Sequence, residues 1–330
     1  MDLRQLGEFG LIEAIRRKAA RATRGRSVWR VAIGDDAAVL TPRAGEELVF
    51  TTDAVVEDVH FRWRTTEPRR LGHKALAVNL SDLAAMGARP LGCLLTLALP
   101  AGIDGKRLDG FLSGFLSLAR ASQCPLVGGD LTRARDFGAT VTAIGAVARG
   151  RALLRSAARP GERVFVTGTL GGAAAGLALL ERGRLRTPLE RRLARRQQEP
   201  HARLKEGSAL VKARLSRAAI DVSDGLAQDL GHVCEASGVG ARIALEALPV
   251  MRGATLEQAL SGGEDYELLF TVARRGPTAR RIGLRLDCKA TEIGVITARP
   301  GLVVTRAGRP VAMGKSGFQH FKASSKGSEK

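Results

Sequence analysis

Short apolar runs alternate with longer amphipathic segments through the first half of the chain. The runs have the length of strands and end near Gly, Asp or Pro, as strands that finish in tight turns do. They predict strands at 30–33, 47–51, 91–98 and 139–148. Apolar side chains recur at helical spacing in 71–86, ahead of Gly87, and again in 107–121. The alternation of strands and helices indicates an α/β (α+β) protein.

The pattern starts again near residue 150, where we place a domain boundary. In the second half it predicts strands at 163–167, 242–245, 267–271 and 302–305, with helices at 173–181 and 226–237. The stretch 181–217 is dense in Arg and Glu, which indicates helices exposed to solvent. We therefore expect an N-terminal domain of residues 1–150 and a C-terminal α/β domain of residues 151–330.

The composition is typical of a globular protein with many tight turns. Of 330 residues, 45% are hydrophobic and 39 are Gly. No run approaches the roughly 18 consecutive apolar residues that a membrane span needs, and the first 17 residues lack the apolar segment of a signal peptide. We expect a cytoplasmic protein with no membrane partner. The four cysteines are scattered without a CxxC pair, which favours reduced thiols over a zinc site or disulfides.

The formal net charge of +19 raises the question of a polyanionic partner such as nucleic acid. The basic residues are dispersed along the chain, which favours an ordinary solvated surface. One tyrosine and two tryptophans also offer few faces on which bases could stack. We therefore expect no nucleic-acid partner.

Acidic residues next to strand ends and glycines carry the strongest chemical signal in this basic chain. Ligands of α/β proteins bind where such turns gather at one rim of a sheet. Several carboxylates on one rim repel each other unless cations neutralise them, and oxygen ligands favour Mg²⁺ or Ca²⁺ over zinc. The alternative is that each Asp merely caps a turn. The residues in question are Asp35, Asp36, Asp53, Asp130, Asp221, Asp224, Glu264 and Asp265.

Asp82 is the clearest of these cases, because apolar residues surround it in the predicted helix 71–86. A carboxylate in such a helix is costly to bury unless it is paired or bound to a metal. The positions three and four residues away hold no basic side chain, so a salt bridge within the helix is not available. Asn79 lies three residues earlier, on the same face. The pattern favours a metal at Asp82.

Three common nucleotide or hydrolase signatures are missing. The chain contains no GxxxxGK[ST] and no G-x-S-x-G. Gly168–Gly172 follows a predicted strand and opens a helix, yet its spacing is not GxGxxG. The alanine-rich helix after it favours close packing over a dinucleotide site.

Taken together, the motifs resemble those of the thiamine-monophosphate kinases, within the superfamily of aminoimidazole ribonucleotide synthetase. The resemblance runs from Gly7 to Phe321. Its markers are GDDA at 34–37, TTD at 51–53, VHF at 59–61, AVNLSDLAAMGA at 77–88, GGD at 128–130, IDVSDG at 220–225, SGGEDYE at 261–267 and GFQHF at 317–321. The GGD, aspartate and SDG elements mark the superfamily, whereas the His60, SGGEDYE and C-terminal segments are more particular to the kinases.

The resemblance implies a two-domain protein that dimerises through N-terminal domains whose strands build a shared β-barrel. It also implies ATP-dependent phosphorylation of thiamine monophosphate to thiamine diphosphate by direct in-line transfer, within thiamine diphosphate biosynthesis. ATP and thiamine monophosphate would be the ligands and several Mg²⁺ ions the cofactors. The implied metal ligands are Asp36, Thr51, Thr52, Asp53, Asp82, Asp130, Asp221 and Asp224; the implied ATP contacts are Gly129, Asp130, Arg155 and Ser223; and the implied contacts to the thiamine substrate are His60, Glu264 and Phe318.

Two positions depart from the family pattern without removing its chemistry. Thr51 stands where Ser is frequent and keeps the hydroxyl, and Phe318 stands where Tyr or Trp is common and keeps an aromatic face. The acceptor is an ionised phosphate oxygen, so no general base is expected among the side chains. Two alternatives stay open. One is another enzyme of the superfamily, such as a selenophosphate synthetase, whose reactive N-terminal Cys is absent here; the other is an RNA-binding protein that has kept the fold.

Overall fold

The computed structural model describes residues 3–22 and 28–312. Its helices are α1 (Leu3–Ala22), α2 (Pro68–Ala85), α3 (Gly105–Ala121), α4 (Gly172–Glu181), α5 (Pro188–Gln198), α6 (Leu204–Lys212), α7 (Leu226–Ser237), α8 (Leu256–Ser261) and α9 (Ala279–Leu286). Its strands are β1 (Trp29–Val31), β2 (Val39–Leu40), β3 (Glu46–Val56), β4 (Arg89–Pro100), β5 (Leu126–Ala134), β6 (Gly138–Ala148), β7 (Arg163–Thr167), β8 (Ala219–Asp221), β9 (Gly240–Ala244), β10 (Leu268–Val272), β11 (Ala290–Thr297), β12 (Gly301–Arg306) and β13 (Arg309–Pro310).

The N-terminal half is built on a four-stranded sheet in the order β3-β6-β4-β5. β3 pairs with β6 along its whole length, from Glu46 opposite Ala148 to Val56 opposite Gly138. β4 and β5 run parallel, which places Asp130 opposite Thr96. Helices α2 and α3 pack against each other and bury Leu76, Leu80, Phe111 and Phe115 completely. Among the described residues the sheet is open, with β3 and β5 at its edges.

The C-terminal half contains a seven-stranded mixed sheet in the order β13-β12-β9-β11-β7-β10-β8. β10 is buried along its whole length, and β7 is buried at every position except Arg163. β8 forms one edge, and its last residue, Asp221, lies where the sheet meets helix α2. The two halves share a core in which Ala84, Ala85 and Leu153 pack with Phe165 and Phe270. This contact holds the end of α2 against the second sheet.

The structure confirms all eight predicted strands and all four predicted helices to within a few residues. It adds elements that periodicity did not reveal, among them α1, α8, α9, β8 and β11. These segments are short or carry no clear apolar period, so the pattern alone could not show them. No helix in the described ranges is long and apolar enough to cross a bilayer. All four cysteines are free thiols.

The expectation of solvent-exposed helices in 181–217 was wrong in part. α5 buries Gln197 and Gln198, and α6 buries Glu206. Two arginines of this stretch, Arg196 and Arg203, form ion pairs with the buried Glu267. A segment rich in charge can therefore face the interior when its charges find partners there.

Candidate active site

Helix α2 directs two polar side chains at strand β3, as their shared face predicted. Asn79 is fully buried, and its Oδ1 accepts a 3.0 Å hydrogen bond from the backbone N–H of Asp53. Three residues later, Asp82 Oδ2 accepts a 2.5 Å hydrogen bond from the Thr51 hydroxyl. Thr52 points differently, since its hydroxyl donates to the Val141 carbonyl at 3.1 Å. The helix and the edge strand thus fix Asp53 and Asp82 as neighbours.

A third carboxylate reaches the same place from the C-terminal sheet. Asp221 is buried, and its Oδ2 accepts a 2.6 Å hydrogen bond from the Ser81 hydroxyl on α2. Burial raises the pKa of Asp221 to about 7, and the charge of Asp82 adds to the rise. Asp221 and Asp82 therefore lie on one cluster although 139 positions separate them in sequence.

Asp53 and Asp224 complete the cluster. Desolvation by the surrounding protein raises the pKa of Asp53 to about 7. The negative charges of Asp82 and Asp224 contribute to this rise. The pKa of Asp82 is also raised by burial, although the Thr51 hydrogen bond and the Arg155 charge oppose that rise. Four aspartates from two strands, one helix and one loop thus repel one another, which is the arrangement that a bound cation stabilises.

The positive charge of Arg155 acts on two aspartates of the cluster, Asp82 and Asp221. This residue lies in a short 3₁₀ helix, Arg155–Ala157, between the two halves, and its side chain is exposed. Its charge lowers the pKa of both Asp82 and Asp221, against the larger effect of their burial. An exposed arginine beside a carboxylate cluster can also reach a bound anion.

Asp229 shapes the loop that carries Ser223 and Asp224, and the sequence analysis missed it. Its Oδ2 accepts backbone N–H bonds from Ser223, Asp224 and Gly225 at 3.1, 3.2 and 3.1 Å. Burial raises the pKa of Asp229 to about 7, with Asp224 adding to it. The sequence signal was an Asp in the first turn of the helix that follows the SDG motif.

Another candidate metal site, within the described residues, consists of Asp224, Asp229 and His232. Their potential ligand atoms lie within 4.8 Å of one another. Three backbone amides already occupy the Asp229 oxygen that faces the loop, so this group is a weak cation ligand. Asp53, Asp82, Asp221 and Asp224 present the better donors, because oxygen-only ligands fit Mg²⁺. The residues present therefore suit that ion.

The GGD segment lines an apolar cavity in the N-terminal half. The cavity has a volume of about 120 Å³. Gly129 adopts φ +152°, and a Cβ there would lie 1.9 Å from the Leu95 carbonyl oxygen, so only glycine fits. The exposed Asp130 stands at the cavity. Apolar side chains form the rest of the lining: Ile12, Ile15, Ile33, Leu95, Leu97, Leu126 and Leu131.

The SGGEDYE segment turns sharply beside the SDG loop. The Glu264 N–H donates to the Ser223 carbonyl at 2.7 Å, and the Tyr266 N–H donates to the Val222 carbonyl at 2.9 Å. Glu264 and Tyr266 both have left-handed φ values, +69° and +50°. Residues other than glycine hold this conformation at a cost of roughly 1–3 kcal/mol, and such residues cluster at functional sites. Glu264 pairs with Lys74 of α2 at 2.5 Å and accepts from Gln197 at 2.8 Å.

Asp265 explains why the Gly168–Gly172 turn is not a dinucleotide site. Its carboxylate accepts bonds from the Gly171 and Ala173 amides at 2.5 and 3.1 Å, so a side chain already caps the start of α4. A Cβ on Gly172 would lie 2.4 Å from Met251 Sδ, which confirms close packing around this helix.

Two further predicted site residues, Asp36 and His60, lie in loops that follow strands. Asp36 is exposed in the loop after β1, and its N–H donates to Asp35 Oδ1 at 2.9 Å. His60 sits in the turn after β3, where its Nδ1 accepts from the Val56 N–H at 3.1 Å. Phe318 lies outside the described residues. The roles of these three residues stay predictions.

Comparison with known families identifies the two halves. Residues 34–147 match the family of AIR synthase related proteins, N-terminal domain, and residues 159–307 match the C-terminal domain of the same family. The thiamine-monophosphate kinase of Salmonella typhimurium is 43% identical over 329 residues, which cover 96% of this chain and 98% of that protein. The thiamine-monophosphate kinase of Bacillus subtilis is 36% identical and covers 96% of this chain and 100% of its own length.

Solved structures agree. A thiamine-monophosphate kinase from Stenotrophomonas maltophilia superposes with a TM-score of 0.81 at 40% identity, covering 93% of this chain and 98% of its own. AaThiL complexed with AMPPCP and TMP superposes with a TM-score of 0.75 at 34% identity, covering 97% and 99%. The hydrogenase maturation protein HypE shares the fold alone, with a TM-score of 0.75 at 18% identity.

Proposed function

Since the chain belongs to the AIR synthase related family and, within it, to the thiamine-monophosphate kinases, we propose that it transfers the γ-phosphoryl group of ATP to thiamine monophosphate. The products are ADP and thiamine diphosphate. The observation that carries the proposal is the convergence of Asp53, Asp82, Asp221 and Asp224. Binding of the cations that accompany polyphosphates would relieve the repulsion among these carboxylates.

Bound Mg²⁺ would supply positive charge that offsets the negative charge of the substrate phosphates. The four clustered aspartates would hold these ions. Thr51 would add an oxygen ligand, because its hydroxyl donates to Asp82 and still has lone pairs to offer. The resemblance also implies Thr52, Asp36 and Asp130 as ligands, and all three are exposed.

For ATP, we assign the purine to the apolar cavity beside Gly129 and Asp130. Apolar walls suit an aromatic base, and the glycine lets the backbone approach it closely. Arg155 and Ser223 border the aspartate cluster, where the phosphates would lie. Arg155 would offset charge on the group in transfer, as arginines do in other phosphoryl transfers.

For the acceptor, His60, Glu264 and Phe318 would contact the thiamine portion. The attacking phosphate oxygen is already ionised, so no side chain needs to remove a proton. Catalysis then rests on alignment of donor and acceptor in line and on neutralisation of charge. Unneutralised unit charges about 4 Å apart repel by roughly 4 kcal/mol at an effective dielectric constant near 20.

We also propose a homodimer formed through the N-terminal sheets. β3 and β5 leave their outer edges open among the described residues, and Phe50 on β3 is 64% exposed. Open edges with exposed aromatic side chains favour pairing with another sheet. Two copies of this sheet could close the shared barrel that the family resemblance implies. The domain boundary near residue 150 and a cytoplasmic location, where ATP is available, complete the proposal.

The test is direct. The purified protein is incubated with ATP, Mg²⁺ and thiamine monophosphate, and both ADP and thiamine diphosphate are measured. We expect equimolar formation of the two products and none when Mg²⁺ is chelated. Selenide-dependent conversion of ATP to AMP and orthophosphate, with no turnover of thiamine monophosphate, would instead indicate a selenophosphate synthetase. No ATP turnover, together with tight RNA binding, would indicate a protein that has kept only the fold.

A further inference from the structure

Lys74 is a buried lysine in α2 to which the family resemblance gives no role. Its side chain is 3% exposed, and its Nζ lies 2.5 Å from Glu264 Oε1. Even so, this ammonium meets no acceptor in hydrogen-bond geometry among the residues that the structure describes. A buried ammonium carries three N–H donors, and leaving them unsatisfied is costly. One N–H can point towards Glu264, and the other donors are left for a further acceptor.

The partner of Lys74 is held rigidly and remains half open. Gln197 Nε2 donates to Glu264 Oε2 at 2.8 Å, and the backbone of Glu264 is fixed in a left-handed conformation by its bond to Ser223. The Glu264 side chain is 31% exposed, so a ligand can reach its carboxylate. Lys74 and Glu264 thus place a donor and an acceptor side by side.

The position of this pair relative to the aspartate cluster limits what it can bind. Lys74 precedes Asp82 by eight residues, which is about 12 Å along a helix. The phosphate of the acceptor must lie at the metal-holding aspartates for transfer to occur. A group about 12 Å away along α2 faces the far, heterocyclic end of the acceptor.

We propose that Lys74 is a specificity-determining residue that recognises the aminopyrimidine ring of the acceptor. The edge of that ring presents a ring nitrogen, which accepts a hydrogen bond, next to an amino group, which donates one. Lys74 donates to the ring nitrogen, and Glu264 accepts from the amino group. The inference rests on the proposed function, because it takes thiamine monophosphate as the acceptor.

The experiment pairs a protein change with a ligand change. The ligand is an analogue of thiamine monophosphate in which the ring nitrogen next to the amino-bearing carbon is replaced by C–H. The protein variants are Lys74→Met and, as a matched control, Lys205→Met, which replaces an exposed lysine of α6. For each protein, kcat and KM are measured with both acceptors, and the KM for ATP is measured as well.

A hydrogen bond from a charged donor gives a discrimination of about tenfold or more, so the parent and Lys205→Met should lose at least that factor in kcat/KM on the analogue. Lys74→Met should lose a similar factor with thiamine monophosphate, mainly in KM. It should then use both acceptors equally within about twofold. The KM for ATP should not change.

Equal losses on both acceptors in Lys74→Met would overturn the proposal, since they would indicate a purely structural role. A loss confined to kcat would also overturn it, because it would place Lys74 at the phosphate. If Lys74→Met fails to fold, the double variant Lys74→Met/Glu264→Gln removes the unpaired carboxylate and permits the same comparison of the two acceptors. If the parent does not phosphorylate thiamine monophosphate at all, the proposed function has failed first.

Discussion

The Thr51 hydroxyl donates a 2.5 Å hydrogen bond to Asp82 Oδ2 and thereby joins edge strand β3 to helix α2. The bond uses one lone pair of the carboxylate and leaves the others available. It also partly offsets the effect of burial, which raises the pKa of Asp82. Thr51 therefore helps to keep Asp82 ionised and oriented, the state in which it can hold a cation.

Asp53→Asn and Asp82→Asn should each lower turnover by about 10³-fold, because roughly 4 kcal/mol of repulsion between phosphates would no longer be neutralised. Without Mg²⁺, both variants should melt at or above the temperature of the parent, since the substitution removes repulsion among the aspartates. Turnover and melting temperature are measured with and without Mg²⁺. Asp136→Asn, at an exposed position, serves as the control. Normal turnover in a destabilised Asp82→Asn protein would show that Asp82 only supports the fold.

In the absence of Mg²⁺, the free energy of unfolding should fall as the pH rises. The pKa of Asp221 is about 7 in the folded protein, against about 3.9 in an unfolded chain. Between these values the folded state binds more protons, so this group makes the protein less stable as pH rises from about 4 to about 7. Asp221→Asn keeps an acceptor for Ser81 and should make this slope less steep between about pH 4 and about pH 7.

Urea denaturation at several pH values across this range measures the free energy of unfolding. Added Mg²⁺ should make the slope of the parent less steep as well. Equal slopes in the parent and in Asp221→Asn would mean that Asp221 is not the source of the pH dependence.

Glu267→Ala should lower the free energy of unfolding by about 3–5 kcal/mol, as removal of one partner from a buried ion pair does. Glu267 is 1% exposed and accepts from Arg203, Arg196 and Thr167. Its loss removes the ion pair of Arg196 and leaves Arg203 paired with Glu206. The measurement is urea denaturation, with the exposed Glu235→Ala as the control. A change below about 1 kcal/mol would show that solvent reaches the network and screens it.

Gly129→Ala should weaken ATP binding and destabilise the N-terminal half. A Cβ at Gly129 would lie 1.9 Å from the Leu95 carbonyl oxygen, and φ +152° is a conformation that L residues rarely adopt. The strain should cost about 1–3 kcal/mol and displace the strand that lines the cavity. Gly102→Ala is the control, because no atom lies within 4 Å of its Cβ position. Calorimetry with ATP and thermal melting report the two effects. Unchanged ATP affinity would separate this turn from the nucleotide site.

Local sequence was sufficient for much of the architecture. Apolar periodicity located α2, α3 and the long strands, because helices and strands place side chains with periods that neighbouring residues alone define. The Gly-flanked aspartates and the lone carboxylate in α2 also pointed to a cation site. The family motifs then identified the chemistry.

Only the tertiary structure decided which charges meet. Asp221 joins Asp82 because β8 ends against α2, and Lys74 meets Glu264 because a left-handed turn returns to that helix. Lys74 did carry a sequence signal, as the one lysine in an apolar helix, but its partner lies 190 positions away. Arg196 of α5 and Arg203, which precedes α6, were expected to be solvated for the same reason. The sequence shows where charged residues lie along the chain. Which charges they contact in space, and whether they are buried, depends on contacts between distant segments.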